Sequence, residues 1–166
     1  YGSAACGADI LCLEAVHDVG GEVHIVLPFP PEEFRRASVD YLPGSGWGRR
    51  FDRLIEVANE IHTVSEHYAT GSESTFEYTN LVLTGLGMLR GQMLETDVAA
   101  IAIWDGARGD GPGGTGTVVD IWRHHDFEVT RVDPARPGDK RLPLGPPASA
   151  PAAPAVPGPS AYGALT

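Results

Sequence analysis

Apolar positions along this chain alternate between helical and extended spacing. Residues 8–19 place Ile10, Leu11, Leu13, Glu14 and His17 around a helix that ends at Gly20-Gly21, a common helix stop. The β-branched run 22–27 predicts a strand halted by Pro28, Pro30 and Pro31. A short helix is expected over 32–39 and a loop over 43–48. An amphipathic helix is expected over 47–60, with Phe51, Leu54, Ile55 and Ala58 on one side. A strand over 61–66 and the longest helix, 75–94, follow. Residues 98–104 are an almost unbroken apolar strand, which predicts burial on both faces. A glycine-rich loop over 105–116, a helix over 117–125 and a strand over 127–132 complete the pattern, and no internal repeat interrupts it.

Strands and helices taking turns at this spacing predict an α/β fold: a three-layer, Rossmann-like parallel sheet with helices on both faces and a ligand crevice at the carboxyl ends of the strands. The chain opens at Tyr1, without Met, directly on a glycine-rich turn, so the fold is expected to lack its first strand. Two regions are expected, an N-terminally truncated Rossmann-like domain over 1–134 and a linker or tail over 135–166. Every Lys, Arg, Asp and Glu falls at or before Arg141, and residues 142–166 hold seven Pro and seven Ala. A segment of that composition has neither an apolar period nor a full set of backbone donors, so a disordered tail is expected.

Composition narrows the function. A formal net charge of −10 over 166 residues disfavours nucleic-acid and anionic-lipid partners and points to a small ligand. No apolar run reaches the ~18 residues of a membrane helix. Cys6 and Cys12 form no CxxC pair and no basic-then-apolar leader is present, so a reducing cytoplasmic setting is expected. The six His residues form no HExxH pattern, and neither a metal nor a cofactor is expected.

Two glycine loops carry the candidate chemistry. The second has glycines at 106, 109, 111, 113, 114 and 116, far more than a plain connection needs. They permit close approach of backbone N–H groups to a ligand, and the helix that follows presents unpaired amides to an anion. Gly113, Gly114, Thr115, Gly116 and Thr117 are the expected phosphate cradle, although either Thr taken alone is more readily explained as a helix cap. The first loop offers Gly2, Ser3, Gly7 and Asp9. It is neither a Walker A loop nor GxGxxG, and contact with ribose or base competes with a plain turn and helix start. Arg90, on a helix face shared with Phe76, Asn80, Leu83 and Gly87, is an anion candidate or an ion-pair partner. Arg108, within the second loop, is an anion candidate or simply exposed.

The string Pro112-Gly113-Gly114-Thr115-Gly116-Thr117-Val118-Val119-Asp120 resembles the PGGxGTxxE signature of the Lonely Guy phosphoribohydrolases, once labelled lysine decarboxylase-like, within the Rossmann-like SLOG group that binds nucleotides and their derivatives. Asp120 stands where that signature has Glu, and the shorter acid bears on hydrolysis more than on binding. The Asp105-Gly106 step is similar to one in nucleoside 2-deoxyribosyltransferases. Gly2 to Leu11, Val26-Leu27-Pro28-Phe29, Phe34, Ser38-Val39, Trp47, Arg50-Phe51 and 104–114 together resemble an uncharacterised bacterial domain found with TPR or adenylate/guanylate cyclase signalling proteins, akin to a TRAFs-binding region.

The resemblance implies a nucleotide- or nucleoside-derivative-binding sensor within a larger signalling chain, its other domains being the expected partners. Asp120 and Asp105 would hold ribose hydroxyls. The enzymatic alternative is an N-glycosidase acting on nucleoside monophosphates, in which Asp120 or Glu14 would serve the oxocarbenium-like transition state and Arg90 the phosphate. A protein-interaction domain without ligand is the third reading.

Overall fold

The computed structural model describes residues 1–67, 73–107 and 113–136, and the backbone of 142–143. Helix α1 (Ala8–Asp18) starts after Gly7, whose φ of 94° suits glycine, and ends in a Schellman turn. There the Gly20 and Gly21 amides bond back to the His17 and Val16 carbonyls at 2.9 Å each, with Gly20 left-handed. Strand β1 (His24–Leu27) is buried along its whole length. Helix α2 (Pro31–Ser38) begins with proline in its first turn, where the missing N–H costs nothing. Helix α3 (Trp47–Val57) follows, then β2 (Glu60–Thr63), the long α4 (Glu73–Met93), β3 (Ala100–Ile103), α5 (Thr115–His124), β4 (Val129–Val132) and the two-residue β5 (Leu142–Pro143).

The strands form two ladders. β1 and β2 run parallel, His24 opposite Glu60 through Leu27 opposite Thr63. β3 and β4 run parallel, Ala100 opposite Val129 through Ile103 opposite Val132, and β5 adds antiparallel to β4. Gly2 makes a single parallel bridge to Ile25. The protein is therefore a mixed α/β chain whose central connections are parallel.

Alternation along β1 turns Val23, Ile25 and Leu27 toward one buried cluster with Ile10 and Leu13 of α1, Phe34 of α2, and Phe51 and Leu54 of α3. Burying side chains of this size contributes about 1.5–3 kcal/mol each. α4 packs against β1, with Phe76 edge-on to Phe29 at 5.5 Å between ring centroids. A second, smaller cluster joins Ala100 and Ala102 of β3 to Val119 of α5 and Val129 of β4.

Four expectations change. The helix expected over 47–60 ends at Val57, because Ala58 is extended and Asn59 exchanges two bonds with Val23: its side-chain oxygen accepts from the Val23 amide and its amide donates to the Val23 carbonyl, both at 2.8 Å. That exchange draws the chain into β2 from Glu60. Burial on both faces does not hold for β3, whose Ile101 is 55% exposed while Ala100 and Ala102 are buried. α5 begins two residues early, at Thr115, since an extended Gly114 takes the capping position. Leu142 and Pro143, in the stretch expected as tail, pair with β4; residues 144–166 lie outside the described residues.

Candidate functional site

Both glycine loops border one cavity of about 380 Å³. The first loop leaves the sheet at Gly2, whose amide donates to the His24 carbonyl at 3.1 Å and whose carbonyl accepts from Val26 at 2.9 Å. Ala4 is buried in a left-handed conformation, φ 58°. The Cys6 amide donates to the Ser38 carbonyl at 3.1 Å and ties the loop to the end of α2. Asp9, in the first turn of α1, accepts from the Ala5 amide at 3.4 Å. Burial pushes the Asp9 carboxyl above its ordinary range, against the opposing pull of that amide. Burial also raises the nearby Cys12 thiol, and the Asp9 charge adds to the effect.

The second loop is held by α4. The Asn80 side-chain amide donates to the Gly113 carbonyl at 2.9 Å. Gly113 has φ 87°, and a Cβ there would lie 2.9 Å from the Cβ of Phe76, so conformation and crowding both demand glycine. One turn along α4, Thr84 donates to the Asn80 carbonyl at 2.8 Å and receives the Trp122 indole N–H at 3.1 Å, which fixes α5 against α4. At the start of α5, Gly114 caps without a side-chain bond, and the Thr117 and Val118 amides return to its carbonyl at 3.0 and 3.2 Å. The Thr115 and Gly116 amides have no backbone acceptor among the described residues. Among the described residues no Thr hydroxyl caps the start of α5, the alternative role weighed for Thr115 and Thr117.

The structure brings Gly2, Ser3 and Asp9 of the first loop together with Gly113, Gly114 and Thr115 of the second. The N-termini of two helices, α1 through Ala8 and Asp9 and α5 through Thr115, meet at that cavity, and each carries partial positive charge. Asn80, Cys6, Cys12, Phe76 and Trp122 also line it.

The other sequence-predicted residues that are described do not line it. Gly7 caps α1, Gly116 and Thr117 lie in the first turn of α5, and Asp120 sits further along that helix. Asp105 accepts from the Ala107 amide at 2.8 Å in a local turn. Arg90 pairs with Glu22 at 2.7 Å, ten residues beyond Asn80 on α4 and so roughly 15 Å away along the axis. Glu14 takes a two-pronged bond from Arg50, Nε at 2.9 Å and Nη2 closer still, and that guanidinium holds the Glu14 carboxyl below its ordinary range. Arg108, Gly109, Gly111 and Pro112 lie outside the described residues. Trp122 enters the site without a local sequence signal, and helical spacing put Phe76 and Asn80 only on the face of Arg90; what places all three at the cavity is contact with residues more than thirty positions away.

Among the described residues no group of three His, Cys, Asp or Glu side chains is placed to hold a metal, and no helix is long and apolar enough to cross a membrane. No protein-family model, curated protein or solved structure gives a significant match to the chain.

Proposed function

We propose that this chain is a nucleotide- or nucleoside-derivative-binding sensor module of a signalling protein. The observation that carries the reading is the convergence of both glycine loops, with the N-termini of α1 and α5, on one cavity. In it the Thr115 and Gly116 amides would hold a phosphate, Gly113 and Gly114 would let it approach, and Ser3 and Asp9 would meet ribose or base. Desolvation raises the Asp9 carboxyl, the direction that weakens its opposition to a nearby phosphate. The two ladders are read as parts of one parallel sheet with helices on both faces, which sets the cavity at a crevice where strand order reverses. Neighbouring domains in a cytoplasmic signalling chain would read the bound state.

Isothermal titration with AMP, cyclic AMP, NAD and inorganic phosphate tests the reading. A nucleotide should bind with a dissociation constant below about 100 μM, and Gly114→Val should weaken it tenfold or more by placing a side chain over the first α5 amides. Equal binding by both proteins, or none by either, defeats the proposal.

One observation favours N-glycosidic cleavage as a second reading. Among the described residues the acid lining the cavity is Asp9, and desolvation raises its carboxyl, the direction that suits a general acid assisting departure of a base. Release of free adenine from AMP that disappears in Asp9→Asn would establish it.

A further inference from the structure

His24 is 6% exposed, yet both of its ring nitrogens meet carboxylates. Nδ1 lies 3.2 Å from Oε2 of Glu60 on β2, and Nε2 lies 3.1 Å from Oε2 of Glu22, just ahead of β1. An ionised carboxylate only accepts and a neutral imidazole carries one N–H, so only the doubly protonated ring donates to both. Each carboxylate has a further partner on the same oxygen. Glu22 accepts from Arg90 of α4 at 2.7 Å, and Glu60 lies 3.2 Å from Nε2 of His62. Arg90, Glu22, His24, Glu60 and His62 thus form one continuous row of contacts across α4, β1 and β2. The hydrogen bond from His24 is the chief cause that holds both Glu22 and Glu60 below the ordinary carboxylate range.

The same residue carries the entry to the first loop. Tyr1 stacks on the His24 ring, centroids 4.7 Å apart and planes 24° from parallel, and the His24 carbonyl accepts from the Gly2 amide at 3.1 Å. A positively charged ring is drawn to an aromatic face. Tyr1 and Gly2 both line the cavity. Arg90 belongs to the helix whose Asn80 clamps the second loop at Gly113. His24 therefore stands between the two segments from which the glycine loops are held.

We propose that His24 is a proton-operated clasp between the two walls of the cavity. With the ring doubly protonated, Glu22 and Glu60 are both tied, α4 is held to β1 through Arg90, and Tyr1 rests on a cation. Removal of one proton turns a lone pair toward a carboxylate oxygen only 3.1 or 3.2 Å away, and one link must open. Glu22 keeps Arg90, a permanent cation, so the remaining N–H stays with Glu60 and the Glu22–Arg90 pair parts from the ring. Tyr1 loses its charged platform in the same step. The clasp is complete while the ring holds both protons and is lost as rising pH removes one. At the acid end it is lost again, as pH falls through the depressed range of Glu22 and Glu60. The inference concerns the walls of the cavity and not the nucleotide.

The test is hydrogen exchange at the Val26 amide, which donates to the Gly2 carbonyl at 2.9 Å, measured at about pH 5.5 and about pH 8 against an unstructured peptide at the same pH. Protection should fall by about tenfold or more from the lower pH to the higher. The Trp104 amide, in the other ladder, should keep its protection. In His24→Gln the fall at Val26 should vanish. Glu60→Gln should shrink it, because an amide can donate to Nδ1 and so frees the remaining ring N–H for Glu22. Equal protection at both pH values in the parent overturns the proposal, as does an equal fall at Trp104, which marks a loss of global stability. A fall that persists in His24→Gln belongs to another group, His62 or the Tyr1 amine among them, and also overturns it. Should His24→Gln fail to fold, Glu60→Gln decides, since that side chain is 55% exposed: a smaller fall supports the clasp and an undiminished one overturns it. No step uses a nucleotide, so a failed titration and a failed clasp remain distinguishable.

Discussion

The Asn80 side chain donates to the Gly113 carbonyl at 2.9 Å and so clamps the second glycine loop to the middle of α4 across 33 residues of chain. Asn80→Ala leaves that carbonyl without its donor. The expected cost is about 1–2 kcal/mol in urea unfolding. Asn80→Asp should cost more, because a carboxylate oxygen would then face a carbonyl oxygen. Loss of less than half a kcal/mol in both variants would show that the clamp is idle.

Gly113 and Gly114 are neighbours with opposite expectations. Gly113→Ala forces a side chain to φ 87° and against Phe76, and should destabilise by roughly 1–3 kcal/mol. Gly114, at φ −71° and ψ 170°, sits where any residue is comfortable, so Gly114→Ala should fold within about 0.5 kcal/mol of the parent. Thermal unfolding of the pair checks the contrast.

Glu14 and Arg50 join α1 to α3, and Arg50 also lies over the Trp47 ring at 4.6 Å. The hydrogen bond from Arg50 depresses the Glu14 carboxyl, so the stability it contributes is present above the unfolded-state carboxylate value and is lost as pH falls through the folded one. The pair is half exposed, and its contribution is on the order of 0.2–1 kcal/mol. Arg50→Met, which keeps an unbranched stem over Trp47, should lose that increment at pH 7 and show a shallower fall in midpoint toward acid.

Asp9 runs the other way. Its carboxyl is raised by burial, so folding favours the protonated form, and the associated stability is full below the unfolded value and is lost as pH rises through the folded one. Asp9→Asn removes that loss. It should raise the midpoint at pH 7.5 more than at pH 5, a slope opposite in sign to that of Arg50→Met. An equal effect at both pH values would mean that Asp9 stays ionised in the folded chain.

The alternation of elements was legible because each carries its own punctuation: glycines at 20 and 21 stop α1, prolines at 28 and 30 stop β1, and Phe51 and Leu54 mark the buried side of α3. The end of α3 was not, since helical spacing continues through Ala58 and only the pairing of Asn59 with Val23 cuts it short. Burial of β3 on both faces was read from uniform apolarity, which cannot tell a covered face from an open one, as Ile101 shows. In the site, glycine content identified the loops. Asn80 was seen only as sharing a helix face with Arg90, and Thr84 and Trp122 not at all, because long-range contacts leave no mark in local spacing. Arg90 and Glu14, chosen for charge, are spent on Glu22 and Arg50.

Ala100 and Ala102 put only methyl groups beneath Val119. Such slender side chains let α5 rest low over its strand, and the elevation of that helix decides where the Thr115 and Gly116 amides stand. A bulkier residue at position 102 would act like a shim, tilting the whole rod and carrying its mouth away from the first loop without altering a single atom there.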